Sequence, residues 1–85
     1  KNKMKVKKGF IVQKLDKKTV LFDGEKSILY TFNETASYLF TLIKKGKSKK
    51  ELIAALLKKY VVSEKKAEKD VEELLTDLKK KKIVS

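Results

Sequence analysis

Short apolar runs separated by polar turns occupy the first part of the chain, up to residue 32. Three runs rich in β-branched and aromatic residues span residues 10–15, 19–22 and 27–32. The pair Asp23-Gly24 separates the last two runs. Such a pair favours a hairpin, because glycine accepts the positive φ that tight turns need. The pattern therefore predicts three strands in an antiparallel meander.

From residue 33 onward the apolar residues recur three or four positions apart, which is the spacing of a helix face. Three such stretches follow one another, and each is preceded by a residue that favours the start of a helix, namely Asn33, Ser48 and Ser63. Glu51 completes a capping box with Ser48, and Gly46 favours the end of the first helix. Three strands followed by three helices predict an α+β domain.

Apolar side chains are expected on both faces of the predicted sheet. Alternation along the strands puts Ile28, Tyr30 and Phe32 on one face, and Leu29 together with Leu21 on the other. A sheet of three short strands does not bury both faces in the core of one small domain. We therefore expect that another molecule covers one face or one edge.

The charge of the chain is strongly positive. Its 85 residues contain 23 basic residues, all of them Lys, against 11 Asp and Glu residues, which gives a formal net charge of +12. Five of the lysines fall within the first eight residues, where little apolar side chain is present to anchor the backbone. We therefore expect a flexible, dispensable basic tail at residues 1–8 and a single domain at residues 9–85.

The sequence contains neither a membrane span nor an export signal. No window approaches the about 18–20 consecutive apolar residues that cross a bilayer. No apolar segment of signal-peptide length follows the basic opening. We therefore expect a cytoplasmic protein without membrane contact, and Met4 near the start favours a freestanding chain.

The residue types that carry most catalysis and metal binding are absent from the sequence. It has no His and no Cys, which removes the commonest general base and the thiolate ligands. Its three glycines are too far apart for a phosphate-binding loop. The acids of the last predicted helix recur three or four residues apart among lysines, as on a solvated helix face. We therefore expect no enzyme activity, no metal site and no cofactor.

Three segments in order along the chain carry recognisable motifs. Residues 32–36 read Phe-Asn-Glu-Thr-Ala, residues 46–53 read Gly-Lys-Ser-Lys-Lys-Glu-Leu-Ile, and residues 60–84 combine an acidic-apolar helix with a final Ile-Val pair. These segments resemble the family of pyrroloquinoline quinone biosynthesis protein D (PqqD). The chain departs from the family pattern at Lys45, where an acid is frequent, and at Lys82, where a glycine is usual.

The resemblance covers roughly residues 9–84 and implies a winged helix-turn-helix topology in which the sheet and the last helix flank a cleft. The family is also called the recognition element for precursor peptides of ribosomally made, post-translationally modified natural products. Its members bind the leader segment of a precursor peptide in the cleft and present its core to a modifying enzyme. That enzyme is a radical S-adenosylmethionine protein in some pathways and a leader peptidase, acting with a cyclase, in others. The resemblance therefore implies a non-catalytic protein with two partners.

A winged-helix protein that binds nucleic acid is the alternative that the charge leaves open. The net charge of +12 and the helix-turn-helix spacing that leads to residues 47–60 favour it. The last predicted helix argues against it, because six acids between Glu64 and Asp77 would repel phosphate groups. The lack of Arg, the residue best suited to reading phosphates and guanines, also argues against it.

Edge-strand chemistry predicts how a peptide would bind in such a cleft. Residues 27–31 close the meander and are expected to form an exposed edge strand, whose unpaired N–H and C=O groups bind an added strand. The sheet and the last helix are expected to supply apolar walls, and nearby lysines to attract acidic leader residues. The predicted peptide-binding residues are Ser27, Ile28, Leu29, Tyr30, Thr31, Lys65, Lys66, Lys69, Asp70, Val71, Leu74 and Leu78.

Overall fold

A computed structural model describes residues 5–84 and shows three strands followed by three helices. The elements are β1 (Phe10–Leu15), β2 (Lys18–Asp23), β3 (Ile28–Phe32), α1 (Glu34–Lys44), α2 (Lys49–Lys59) and α3 (Glu64–Lys80). The predicted α+β order, with an antiparallel sheet before the helices, is therefore confirmed. None of the helices in the described range is long and apolar enough to cross a membrane.

The sheet has the strand order β1-β2-β3, and both pairs are antiparallel. Because β2 lies in the centre, β1 and β3 are the two edges. The prediction that the third strand is an edge strand is confirmed. Only Asn33 separates the end of β3 from the start of α1, so the edge strand leads directly into the helical half of the domain.

The turn between β2 and β3 differs from the expected glycine turn. Asp23 pairs with Ile28, so the loop contains four residues. The Asp23 carboxylate closes it by accepting hydrogen bonds from the N–H groups of Glu25 at 3.0 Å and Lys26 at 3.2 Å. Ser27, with φ of 55°, takes the left-handed conformation, and Gly24 is not among the residues with positive φ. The side chain of Asp23, rather than the freedom of Gly24, therefore determines this turn.

The register set by this loop determines which apolar side chains share a face. Leu21 pairs with Tyr30, and Phe22 pairs with Leu29. Residues directly opposite each other in a sheet point to the same face, so the expectation that Leu29 and Leu21 lie together is wrong. Leu21 is fully buried, whereas Leu29 is 62% exposed beside Ile11 and Phe22 on the outer face.

The helix ends follow the sequence signals closely. The Asn33 side chain accepts a hydrogen bond from the N–H of Ala36 at 2.9 Å, and Ser48 and Glu51 form the predicted capping box at the start of α2. Gly46, with φ of 85°, terminates α1 in the left-handed conformation, and hydrogen bonds from the next residue and from Gly46 itself return to the last turn of α1.

The core lies between the inner face of the sheet and the three helices. The rings of Phe32 and Phe40 join the two halves with 5.2 Å between their centroids, and Thr19 is hydrogen-bonded to Ser37 in the buried layer. The buried apolar residues are Leu21, Phe32, Leu39, Phe40, Ile43, Leu52, Leu56, Ala67, Val71, Leu75, Leu78, Ile83 and Val84.

The N-terminal segment makes contacts that the sequence interpretation left out. Val6 forms an isolated antiparallel bridge with Val84 and packs against the core. The N–H of Lys7 donates a hydrogen bond to the carbonyl of Ile83 at 2.9 Å. The expected domain start at residue 9 is therefore too late, because long-range pairing with the end of the chain anchors Val6. Residues 1–4 lie outside the described residues, and the flexibility of the tail stays a prediction.

We predict that Asn33→Ala lowers the free energy of unfolding by about 1 kcal/mol, because it removes the acceptor for the Ala36 N–H. Urea denaturation of both proteins measures the difference. Asn33→Asp is the matched control, since Asp caps helices as well as Asn does and should leave stability nearly unchanged. An equal loss in both variants would show that the cap is not the cause.

We predict that Val6→Ala also lowers the free energy of unfolding, by about 1 kcal/mol, because two methyl groups leave a partly buried site against the core. Lys5→Ala alters the neighbouring exposed residue and should change nothing measurable. Equal stability of the two variants in urea would contradict the anchoring of this segment.

Candidate functional site

An open groove of about 450 Å³ lies between the first turn of α1 and one face of α3. Its lining combines a few apolar side chains with several charged ones. The lining residues are Asn33, Thr35, Ala36, Leu39, Lys66, Asp70, Glu73, Leu74 and Asp77. Because Asn33 directly follows β3, the groove begins where the free edge of the sheet ends.

The C-terminal part of α3 connects the groove to the middle of β3. Lys81, which caps α3, forms an ion pair with Asp77 in the groove lining. Its ammonium nitrogen also lies 5.6 Å from the centroid of the Tyr30 ring on β3. Lys81 therefore links Asp77 of the groove lining to Tyr30 of the edge strand.

The exposed edge of β3 provides backbone hydrogen-bonding groups for a ligand. This strand pairs with β2 on one side only, so alternate residues direct their N–H and C=O groups away from the sheet. Tyr30 is half-buried on the core face, and Ile28, on the same face, is 40% exposed. A strand added at this edge would alternate its own side chains between the groove side and the outer face.

The strand residues that the sequence predicted for the site divide between three locations. Ile28 and Tyr30 lie on the core face, and neither lines the groove. Leu29 and Thr31 lie on the outer face and are exposed, so they do not line the groove. Ser27 is an exposed turn residue with positive φ and precedes the strand.

The helix residues predicted for the site also divide. Of the seven, Lys66, Asp70 and Leu74 line the groove. Val71 and Leu78 are fully buried in the core, so the expectation that they form open apolar walls is wrong. The reason is that the stripe spaced three and four residues apart is the stripe that attaches α3 to the domain.

The expected lysine cluster is oriented differently from the prediction. Lys65 and Lys69 line a separate pocket between α2 and α3, together with Glu68 and Glu72. They therefore face away from the groove, and Lys66 is paired with Asp70 at 3.3 Å. A helix turns by about 100° per residue, so neighbouring lysines do not share a face. The expectation that these lysines together attract acidic leader residues is thus not supported.

Sequence reasoning missed most of the groove lining. Thr35, Ala36 and Leu39 line it from α1, and Glu73 and Asp77 from α3. For Thr35 and Ala36 the signal is present in the Phe-Asn-Glu-Thr-Ala segment, which indicates a cap and a family signature but no binding role, and Leu39 belongs to the apolar stripe of the predicted helix. For Glu73 and Asp77 the signal is the helical spacing of the acids, which indicates a solvated face as readily as a groove.

A third, smaller pocket of about 220 Å³ contains an aromatic cluster. The rings of Tyr38 and Tyr60 meet edge to face, and the ammonium group of Lys59 lies 4.9 Å from the centroid of the Tyr38 ring. Burial raises the pKa of the Tyr60 phenol, and the charge of Glu34, to which its hydroxyl donates a hydrogen bond at 3.5 Å, raises it further. Because Lys59 already occupies the face of these rings, the cluster serves packing.

The described range contains no group of three or more carboxylates placed to hold a metal ion. The polar groups of the groove comprise one lysine, three carboxylates, the Asn33 amide and the Thr35 hydroxyl. These groups suit hydrogen bonding and ion pairing with a ligand, and they lie beside a strand edge.

Two solved structures share this fold. TbiB1 in complex with the TbiA(beta) leader peptide matches with a TM-score of 0.89 at 21% sequence identity, covering 95% of this chain and 94% of the other. Lasso peptide synthetase B1 complexed with the leader peptide matches with a TM-score of 0.89 at 25% identity, covering 98% of each chain. The first of these likenesses shows the fold alone. No curated protein matches the chain.

The sequence itself matches a family over most of its length. Residues 18–84 match the family described as coenzyme PQQ synthesis protein D, which includes all of the sheet except β1 and all three helices. The segments at residues 32–36 and 46–53 that carried the resemblance lie inside the match. The chain therefore belongs to the PqqD family.

Proposed function

We propose that this chain captures the leader segment of a ribosomally made precursor peptide by strand addition at the free edge of β3. The observation that carries the proposal is the unpaired edge of β3 beside the groove between α1 and α3. Support comes from lasso peptide synthetase B1, which was solved with a leader peptide and matches this chain over 98% of its length.

Backbone pairing would supply affinity without reading sequence, since every residue of a peptide offers the same N–H and C=O groups. Selectivity would come from alternate side chains, which enter the groove between α1 and α3. Ala36, Leu39 and Leu74 form its apolar floor. An extended leader with apolar residues two positions apart fits this arrangement.

Binding would be moderate in strength. Ordering a flexible peptide offsets part of the free energy gained from pairing and burial. The groove is open and its lining is largely polar, so little apolar surface is removed from water. We therefore expect a Kd between roughly micromolar and high nanomolar.

The chemistry of peptide modification would be carried out by a partner enzyme. The chain has no His or Cys to act as base or nucleophile, so we infer that its role is to hold the leader while the core of the peptide reaches another active site. A leader peptidase is the favoured partner, given the likeness to lasso peptide synthetase B1, and a radical S-adenosylmethionine enzyme is the other class. We infer a cytoplasmic encounter, because a ribosomally made peptide is met where it is synthesised.

Nucleic acid binding is not favoured by the groove. The wall that α3 contributes contains Asp70, Glu73 and Asp77, and these carboxylates would repel a phosphate backbone. The net charge of +12 remains a source of nonspecific attraction, which salt would remove.

The decisive test is amide chemical-shift mapping of the labelled protein. The ligand is the leader half of a precursor peptide encoded beside the gene for this chain. We expect shifts concentrated in β3, in the first turn of α1 and on the groove face of α3 between residues 66 and 77. Shifts centred on residues 47–60 would contradict the proposal, because they would indicate binding at α2.

We predict that Leu74→Ser weakens leader binding about tenfold, because it removes the largest apolar side chain that α3 contributes to the groove. Leu57→Ser is the matched control, since Leu57 is a 39% exposed leucine on α2 that does not line the groove. Calorimetric titration measures both affinities, and circular dichroism checks that both variants are folded. Equal weakening in the two variants would contradict the assignment of the groove.

A further inference from the structure

The groove face of α3 is acidic although the whole chain carries a net charge of +12. Of the four charged residues that line the groove, Lys66 is basic and Asp70, Glu73 and Asp77 are acidic. They are spaced three or four residues apart, so they form a row along one face of the helix. A ligand in the groove therefore meets local negative charge against a positive background.

Two of the three carboxylates already have cations of their own. The ammonium group of Lys66 lies 3.3 Å from each carboxylate oxygen of Asp70, and Lys81 pairs with Asp77. Glu73 lies between them, one turn from each, and the described residues provide no hydrogen bond or ion pair for its carboxylate. Its charge is therefore the part of the row that is available to a ligand.

The end of the sheet at which β3 begins has the reverse charge. A pocket of about 150 Å³ there, beside the start of β1 and the β2–β3 turn, is lined by the basic residues Lys7, Lys8, Lys26 and Lys82, with two acids. One of these acids, Asp23, is occupied by the N–H groups of the turn. The surroundings of β3 are thus basic at the end of the sheet where the strand begins and acidic in the groove that starts at Asn33.

We propose that this groove selects leader segments that place a Lys or Arg side chain against Glu73. The inference rests on the proposed function, because it assumes that an extended peptide lies along β3. Charge complementarity identifies the side chain that binds at this position. A cation forms an ion pair with Glu73, whereas it is repelled at the basic end. Charge therefore determines the register of a peptide whose backbone pairing alone would allow it to slip by two residues.

The expected effect is modest, because Glu73 is exposed and water screens the pair. Glu73→Gln, which neutralises the carboxylate, should lower the affinity for a basic peptide by about twofold to fivefold. Reversing the charge in Glu73→Lys replaces attraction with repulsion and should weaken it by roughly tenfold at low salt.

The test is a selection from a displayed library of randomised 12-residue linear peptides, carried out in parallel at low salt. The wild-type chain, Glu73→Lys and Glu68→Lys are the three targets. Glu68→Lys is the matched control, because Glu68 is an exposed acid on the same helix that lines the pocket on the α2 side. We expect Lys or Arg to be enriched at one position, at a fixed distance from the apolar residues, on the wild-type chain and on Glu68→Lys. On Glu73→Lys this enrichment should be lost.

The outcomes separate this inference from the proposed function. The proposed selection of a basic residue by Glu73 is overturned if the enriched peptides have no basic position. It is also overturned if Glu73→Lys enriches the same basic position as the wild-type chain. The proposed function stands in that case if an enriched peptide shifts the amides of β3 and the groove. A wild-type selection that enriches no peptide, or only peptides that shift residues 47–60, overturns both.

Discussion

The short connection between β3 and α1 is the constraint on which the rest of the site depends. Asn33 ends the strand and caps the helix, its side chain bonded to the Ala36 N–H, so the chain leaves the sheet within a single residue. Within residues 5–84 the elements that follow β3 are helices, and no strand pairs with its outer edge. The same residue orients the first turn of α1 beside that edge. An open strand and an adjacent groove therefore result from one local arrangement of backbone.

The position of α3 depends on burial, and burial determines which of its residues are available. Val71 and Leu78 are fully enclosed, and they belong to the core cluster that also contains Leu21 of the sheet and buried residues of α1 and α2. The residues one position away, Asp70 and Asp77, consequently face the groove. A change that rotated α3 about its axis would exchange core and groove side chains. The orientation of the helix therefore determines both the packing of the core and the residues that a ligand meets.

Local signals predicted the elements well, and long-range geometry explains what they missed. The caps at Asn33, Ser48 and Ser63 involve partners within three residues, and such contacts are visible in sequence. The face of Leu29 depended on the number of residues in the turn closed by Asp23, and one residue more or less reverses every side chain of a strand. The pairing of Val6 with the end of the chain joins segments far apart in sequence, and no local pattern encodes it. The groove lining was not predicted for the same reason, because it joins residues of α1 and α3 that are far apart in sequence.

The net positive charge of the protein and the acidic lining of its groove act on a peptide at different distances. The net charge of +12 acts over about a Debye length, roughly 8–10 Å at physiological salt, and draws in acidic peptides without orienting them. Inside the groove the nearest charges dominate the electrostatic energy of a bound peptide, because Coulomb interactions weaken with distance and solvent screens the remote lysines. A leader with a basic residue opposite Glu73 and acidic residues elsewhere satisfies both conditions. The lysine-rich surface and the row of carboxylates are therefore compatible parts of one binding surface. The electric field of the lysines brings the peptide near, and Glu73 determines its register.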